Sequence, residues 1–109
     1  MFQECTNLKE INFPNINAFL LNDISHMFYK CTNLKSINMQ GLKSEILYMN
    51  WMFSGCKNLK YLNIYNLDSR KLVSLESIFE GIENKINITY DPEKTSTTLQ
   101  KAINKVILE

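Results

Sequence analysis

Apolar and polar positions along the chain repeat with a period of 25 or 26 residues. The segments MFQECTNLKEINF, MFYKCTNLKSINM, MFSGCKNLKYLNI and IFEGIENKINI begin at Met1, Met27, Met52 and Ile78. Consecutive starts therefore lie 26, 25 and 26 residues apart. A fixed period of this length predicts stacked structural units, because one unit alone cannot bury its apolar face.

Aligning the four units places apolar residues in shared columns. The first columns are Phe2, Phe28, Phe53 and Phe79, then Cys5, Cys31, Cys56 and Ile82, then Leu8, Leu34 and Leu59. In the fourth unit we align Ile86 with Ile11, Ile37 and Leu62, and Ile88 with Phe13, Met39 and Ile64. This alignment shortens the Asn-Leu-Lys segment of the fourth unit. Apolar identity across the columns predicts that equivalent residues stack on one another.

Two apolar spacings alternate within each unit. Leu21, Ile24, Phe28 and Cys31 recur at helical intervals, whereas Ile37 and Met39 stand two apart, as in a strand. Each unit is predicted to form a short helix, a turn and a short strand, with Asn22 or Asp23 as the helix N-cap. The predicted fold class is α/β: a solenoid of about four helix-turn-strand coils with a parallel sheet on one face.

The C-terminal segment follows a different pattern. After the turn signal Tyr90-Asp91-Pro92-Glu93, apolar residues recur on one helical face at Leu99, Ala102, Ile103, Val106 and Ile107. Thr97 and Gln100 have the spacing of a capping box. We therefore predict a repeat solenoid over residues 1–90 and a capping helix within residues 91–109.

The unit resembles a known repeat family. Leu8, Ile11 and Phe13 match the strand of leucine-rich repeats. More closely, Met27-Phe28, Cys31 and the following Leu34, Ile37 and Met39 resemble the BspA-like repeats of surface proteins. The resemblance covers roughly residues 1–90 and departs from the pattern at Ile11-Asn12 and in the fourth unit. It implies a leucine-rich-repeat-like solenoid that provides a binding surface on a cell-surface or secreted protein.

Composition narrows the function classes. Hydrophobic residues make up 45% of the chain and charged residues 21%, which is enough apolar content for a folded core. A net charge of +1 provides no general attraction to nucleic acid, and no apolar run is long enough to insert into a membrane. Gly is scarce, and we expect the frequent Asn residues to supply left-handed turns. No signal peptide is recognisable in this sequence.

No motif of catalysis or cofactor binding occurs, so we expect neither an enzyme nor a bound cofactor. Cys5, Cys31 and Cys56 form a column that Ile82 continues, which favours buried free thiols over a disulfide or a zinc site. His26 shares its column with Trp51 and Ser77, and no catalytic partner accompanies it. Asn7, Asn33, Asn58 and Asn84 are expected to bond to turn backbone between coils.

The exposed strand face offers a candidate ligand-facing ladder. Its members are Lys9, Glu10, Asn12, Lys35, Ser36, Asn38, Lys60, Tyr61 and Asn63. Strand alternation is expected to point this ladder outward. Three lysines in register suggest a site for an acidic partner, but a solvated row that protects the sheet edge is the simpler interpretation, and the pattern favours it.

Two functions remain open at this stage. One is a protein-binding module of a larger surface or secreted adhesion-type protein, and the other is an intracellular leucine-rich-type scaffold, favoured by reduced cysteines. The first coil has no cap before it, so we expect either a longer repeat array or self-association through that coil. The sequence identifies no particular protein partner.

Overall fold

The structure, a computed structural model, describes residues 2–18 and 20–108. Met1, which opens the first predicted unit, lies outside the described residues. The elements are β1 (Glu10–Asn12), β2 (Ile16–Asn17), β3 (Ser36–Asn38), β4 (Leu42–Glu45), β5 (Tyr61–Asn63), β6 (Leu67–Asp68), β7 (Asn87–Thr89) and α1 (Thr97–Val106). We number the coils 1 to 4 by the strands β1, β3, β5 and β7.

The strands stack coil upon coil into two parallel sheets. The first sheet has the order β1-β3-β5-β7, and the second has the order β2-β4-β6. In the first sheet Ile11 pairs with Ile37, Ile37 with Leu62, and Leu62 with Ile88. The chain is thus a parallel β-solenoid of about three turns with one C-terminal helix. The predicted solenoid, its parallel sheet and the C-terminal capping helix are confirmed. The second sheet was not predicted, because the pattern indicated only one strand in each unit and β2, β4 and β6 lie outside that strand.

The predicted alignment of the fourth unit was wrong by two residues. Leu62 pairs with Ile88, not with Ile86, and Asn63 pairs with Thr89. Ten residues separate Met27 from Ile37, and the same spacing separates Ile78 from Ile88. The fourth unit is therefore not shortened. The alignment was shifted because Ile86 is apolar. It stands opposite Lys60, where the other units have a lysine, and was therefore mistaken for the first inward-facing residue of the strand.

The predicted helix of each unit is a run of tight turns. Between residues 24 and 30, alternate N–H groups donate to carbonyls of the next coil: for example, Phe28 N donates to Met52 O at 3.0 Å. The N–H groups between them close local turns, as Tyr29 N does onto His26 O. In an α-helix all these N–H groups would donate to carbonyls four residues earlier in the same segment. Asp23 consequently caps a turn rather than a helix, and its Oδ1 accepts from Ser25 N at 3.0 Å.

Left-handed residues stop these turns from continuing as helix. The positive φ values among non-glycine residues belong to Glu4, His26, Lys30, Trp51 and Ser77, and those among glycines to Gly55 and Gly81. They fall in two columns, one shared by His26, Trp51 and Ser77. The expectation that Asn supplies this conformation was wrong for the described residues. Asn instead bonds across coils, since Asn58 Nδ2 donates to Thr32 O at 2.8 Å.

A row of aromatic rings runs through the core. Phe2 stacks on Phe28 with ring centroids 5.6 Å apart, Phe28 on Phe53 at 5.9 Å, and Phe53 on Phe79 at 5.6 Å. Phe28 and Phe53 are completely buried. The predicted continuous phenylalanine row is confirmed, and it buries large apolar surfaces at every coil junction.

Helix α1 covers the sheet side of coil 4. Leu99 and Ile103 are buried, and Ile86 N donates to Val106 O at 2.8 Å. The N-cap is Ser96, whose Oγ accepts from Leu99 N at 3.2 Å, so the predicted capping box at Thr97 was wrong by one residue. Gln100 still contributes, because its side chain donates to Thr95 O at 2.9 Å.

Candidate functional site

The structure brings the predicted ladder together on the first sheet. Glu10, Ser36 and Tyr61 pair in register, and so do Asn12, Asn38 and Asn63. The three lysines directly precede the strands, and their backbones continue the ladder: Lys35 N donates to Lys9 O at 2.7 Å and Lys60 N to Lys35 O at 2.9 Å. All three lysine residues are exposed. The strand residues are in the predicted register, but each lysine lies two residues before an inward-facing residue, so strand alternation does not put the lysines on the same face. A role of the ladder in binding stays a prediction.

A shallow groove of about 190 Å³ lies along these strands. Its polar lining is Ser36, Asn38, Tyr61, Asn63, Asn87 and Thr89. The sequence pattern missed Asn87 and Thr89, because the fourth unit was aligned two residues out of register. The constant ten-residue spacing from the unit start to the strand was the signal that could have found them. We call this surface the sheet-face groove.

Two of its asparagines are held by the turns that follow their strands. Asn38 Oδ1 accepts from Gln40 N at 2.9 Å, and Asn63 Oδ1 accepts from Tyr65 N at 3.0 Å. Side chains that bond to nearby backbone in this way stabilise a turn. These amides are therefore fixed in orientation before any ligand arrives. Tyr61, in contrast, is 56% exposed and offers an aromatic face and a hydroxyl to the solvent.

Charge is distributed unevenly around the solenoid. In the described part of the chain Lys9, Lys35 and Lys60 form no ion pair, and the ion pairs lie at the second sheet instead. There Arg70 donates to Asp68 at 2.6 Å, and this hydrogen bond lowers the pKa of the Asp68 carboxyl. Among the described residues the lysine row thus has no ion-pair partner, and it lies at the start of the strands that form the sheet-face groove.

All three cysteines are free thiols; Cys31 and Cys56 are buried in the turns, and Cys5 is half-buried. Cys31 Sγ donates to Phe2 O at 2.9 Å, and Cys56 Sγ donates to Phe28 O at 3.1 Å. Burial raises the pKa of the Cys31 thiol and raises that of Cys56 to about 12. A thiol that stays protonated is a poor nucleophile and a poor metal ligand. Over residues 2–18 and 20–108, no cluster of three potential metal ligands occurs.

His26 belongs to an aromatic cluster that the sequence pattern did not reveal. Its ring stacks on Trp51 with centroids 6.4 Å apart, and it meets the Tyr29 ring edge-on at 5.4 Å. His26 and Trp51 share the left-handed conformation, at φ 60° and 58°. Their common column explains the contact, since equivalent positions of adjacent coils lie side by side. The contacts are structural and give His26 no catalytic partner.

Parallel strands in register, stacked phenylalanines and cross-coil turns define a repeat solenoid protein. The chain belongs to the BspA-type leucine-rich repeat family: the model of a BspA type leucine rich repeat region, with 6 copies, matches residues 1–97. The resemblance predicted from the sequence is confirmed. No curated protein and no solved structure gave a significant match.

Membership of the family suggests a class of function. Leucine-rich-type repeats form modules for protein interaction, and solenoids of this type are typically non-catalytic. BspA-type repeats are associated with surface proteins. Within the described residues, α1 is too short and too polar to cross a membrane.

Proposed function

We propose that this chain is a non-catalytic protein-binding module and that the sheet-face groove with its lysine row is the contact surface. The observation that carries the proposal is the register of the first sheet. It sets fixed amide groups and the exposed Tyr61 ring on one rigid surface, and the exposed Lys9, Lys35 and Lys60 directly precede its strands. Sites built on sheets hold their side chains more firmly than sites on loops.

The expected partner is a protein whose contact surface carries carboxylates. Uncompensated lysines increase the rate of encounter with acidic surfaces, and this effect weakens as salt rises. Tyr61 supplies the kind of side chain that contributes strongly at interfaces, because it buries a large area at a low entropy cost. Glu10, at the coil 1 end of the ladder, restricts the acidic contact to coils 2 and 3.

Site-specific photo-cross-linking tests the proposal. A photoreactive phenylalanine analogue at Tyr61 should capture a discrete partner in cells of the source organism, whereas the same analogue at Tyr48 should not. Tyr48 is a matched control, because it is also exposed but pairs with Asp23 and Ser74 away from the first sheet. Excess wild-type protein should suppress the adduct, and the Lys35→Glu/Lys60→Glu variant should not. Equal adducts from both positions would contradict the proposal.

We further propose that the chain acts within a larger surface or secreted adhesion-type protein. The association of BspA-type repeats with surface proteins supports this setting. The alternative is an intracellular scaffold, which the free thiols of Cys31 and Cys56 favour. Digestion of intact cells with an impermeant protease separates the two. Loss of the repeat epitope supports the surface setting, and its protection until lysis supports the scaffold.

Self-association through coil 1 is a separate proposal. Phe2, Leu8, Ile11 and Phe13 are only half-buried, whereas Phe28, Leu34, Ile37 and Met39 at the same positions of coil 2 are buried. Covering such an apolar end would release water and stabilise an assembly. Sedimentation velocity should then show concentration-dependent association that Ile11→Lys abolishes. A strictly monomeric wild-type protein would contradict this proposal.

A further inference from the structure

Adjacent coils are joined along their turns by a ladder of backbone hydrogen bonds. From coil 2 to coil 3, the donors are the N–H groups of Ile24, His26, Phe28 and Lys30, and the acceptors are the carbonyls of Tyr48, Asn50, Met52 and Ser54. The next junction repeats this arrangement, with donors Met49, Trp51, Phe53 and Gly55 and acceptors Ser74, Glu76, Ile78 and Glu80. Each turn therefore points a row of alternate N–H groups toward the coil that follows.

The turn of coil 4 has the same row of donors without acceptors. The equivalent N–H groups belong to Leu75, Ser77, Phe79 and Gly81, and none of them donates to any other described residue. Ser77 and Gly81 keep the positive φ of their columns, so the row retains the shape that it has in coils 2 and 3. A regular row of unpaired N–H groups is a ready template for another chain.

An apolar groove of about 440 Å³ lies beside this row. Its lining is Leu75, Ser77, Ile78, Phe79, Glu80, Ala102, Lys105 and Val106. One wall is thus the coil 4 turn, and the other is the second half of α1. Phe79 is stacked on Phe53 and is only half-buried, unlike Phe53, which a ring contacts on both sides.

Helix α1 limits what can enter. Beyond its last turn, Leu108 N donates to Ile86 O at 2.6 Å, so residues 106–108 already occupy the sheet side of coil 4. A complete further coil would collide with this segment. The turn side stays open and has room for one polypeptide segment between the N–H row and α1.

We propose that this groove binds a phenylalanine-bearing repeat turn of another polypeptide chain. The bound segment accepts hydrogen bonds from the four N–H groups through alternate carbonyls and stacks an aromatic ring on Phe79. The molecule itself provides the reason for this choice, because the turn of coil 3 packs on coil 2 in this way and that of coil 4 packs on coil 3. The site is distinct from the sheet-face groove and does not depend on the function proposed there.

A peptide copied from the chain tests the inference. The probe is an acetylated and amidated peptide spanning Tyr48 to Cys56 with Cys56→Ser, titrated into ¹⁵N-labelled protein. Amide resonances of Ser77, Phe79 and Gly81 should shift and saturate, together with that of Val106. The peptide carrying Phe53→Ala should bind at least about tenfold more weakly, since it lacks the ring that covers Phe79.

Variants of α1 supply the controls. Ala102→Arg places a long side chain in the groove and should abolish the shifts, whereas Lys101→Arg, on an exposed part of the same helix, should leave them unchanged. A cooperative thermal unfolding transition of each variant serves to check that it is folded. Shifts at the same amides that grow with protein concentration alone would show a second copy as the source and would support the inference. No shifts up to about 5 mM peptide, or equal affinity for the Phe53→Ala peptide, would overturn it.

Discussion

The thiol of Cys56 donates a hydrogen bond to the backbone carbonyl of Phe28 in the preceding coil, 3.1 Å away. Cys31 makes the same bond to Phe2 at 2.9 Å. A cysteine at this position fills a small buried space and also links two coils through a weak donor. In coil 4 the position is occupied by Ile82, which keeps the apolar filling and gives up the bond.

We expect the three thiols to differ sharply in reactivity. Burial keeps Cys56 protonated, because its pKa is raised to about 12, and Cys31 is shielded in the same way. Cys5 is only half-buried. Alkylation at pH 8, followed by mass spectrometry of the peptides, should label Cys5 first and Cys56 at least about a hundredfold more slowly. In denaturant the three rates should converge. Native labelling of Cys56 as fast as that of Cys5 would show that the turn is open.

The same thiol makes stability depend on pH at the alkaline end. The pKa of Cys56 rises from 9.0 when the chain is unfolded to about 12 in the folded state. Its contribution is complete below pH 9 and is lost as the pH rises toward 12, because only the unfolded chain releases the proton there. Between pH 8 and 10.5 the wild-type protein should lose about 2 kcal/mol more unfolding free energy than Cys56→Ser. Urea unfolding measures both, and parallel losses would contradict the assignment.

The sequence pattern predicted the solenoid because equivalent positions of successive units carry the same kind of apolar residue. Phe2, Phe28, Phe53 and Phe79 indicate a stack even without knowledge of the backbone, and the stack is present. The pattern failed where the 3- and 4-residue spacing of Ile24, Phe28 and Cys31 was taken as helical. A run of turns with alternating backbone conformation buries the same residues and directs its N–H groups outward, so side-chain periodicity alone cannot distinguish the two.

The candidate site was predictable only in part. Strand alternation was sufficient to place Ser36 and Tyr61 on the outer face. Asn87 and Thr89 escaped, because the C-terminal segment pairs with Ile86 and so favours an apolar residue where Lys60 stands in coil 3. The unpaired N–H row of coil 4 was also missed, since the directions of the N–H groups depend on φ values that the side chains did not reveal. The left-handed position, for example, is occupied by three unlike residues, His26, Trp51 and Ser77.

The position of a phenylalanine in the row should determine its contribution to stability. Phe53 is buried and stacks on Phe28 and Phe79, so Phe53→Ala should lower the free energy of unfolding by about 3–5 kcal/mol. Phe2 is half-buried, stacks on Phe28 on one side and meets the Phe13 ring edge-on, and Phe2→Ala should therefore cost less than half as much. Urea titrations followed by circular dichroism compare the two. Equal losses would show that coil 1 is as tightly packed as the centre.

Lys30 and Gly55 share a left-handed position, and substitutions at the two residues should change the stability in opposite directions. Gly55 has a φ of 79°, and a Cβ there would lie 3.2 Å from Lys30 Cα. Gly55→Ala should therefore destabilise the protein by about 1–2 kcal/mol. Lys30, at φ 56°, already bears that strain, so Lys30→Gly should be neutral or stabilising by up to about 1 kcal/mol. Thermal unfolding gives both values, and a stabilising Gly55→Ala would refute the assigned backbone conformation.

Hydrogen exchange should be fastest in coil 1 and slowest in coils 2 and 3. The amides of β3 and β5 lie between two neighbouring strands, while β1 has a neighbour on one side. Ile11 is half-buried, whereas Ile37 and Leu62 in the same row are buried. Local opening requires less free energy where fewer apolar contacts are lost, so Phe13 N, bonded to Asn38 O, should exchange faster than Met39 N, bonded to Asn63 O. Mass spectrometry after proteolysis resolves the two coils. Equal protection at low protein concentration would contradict the prediction, whereas protection of coil 1 that appears only at high concentration would support its proposed self-association.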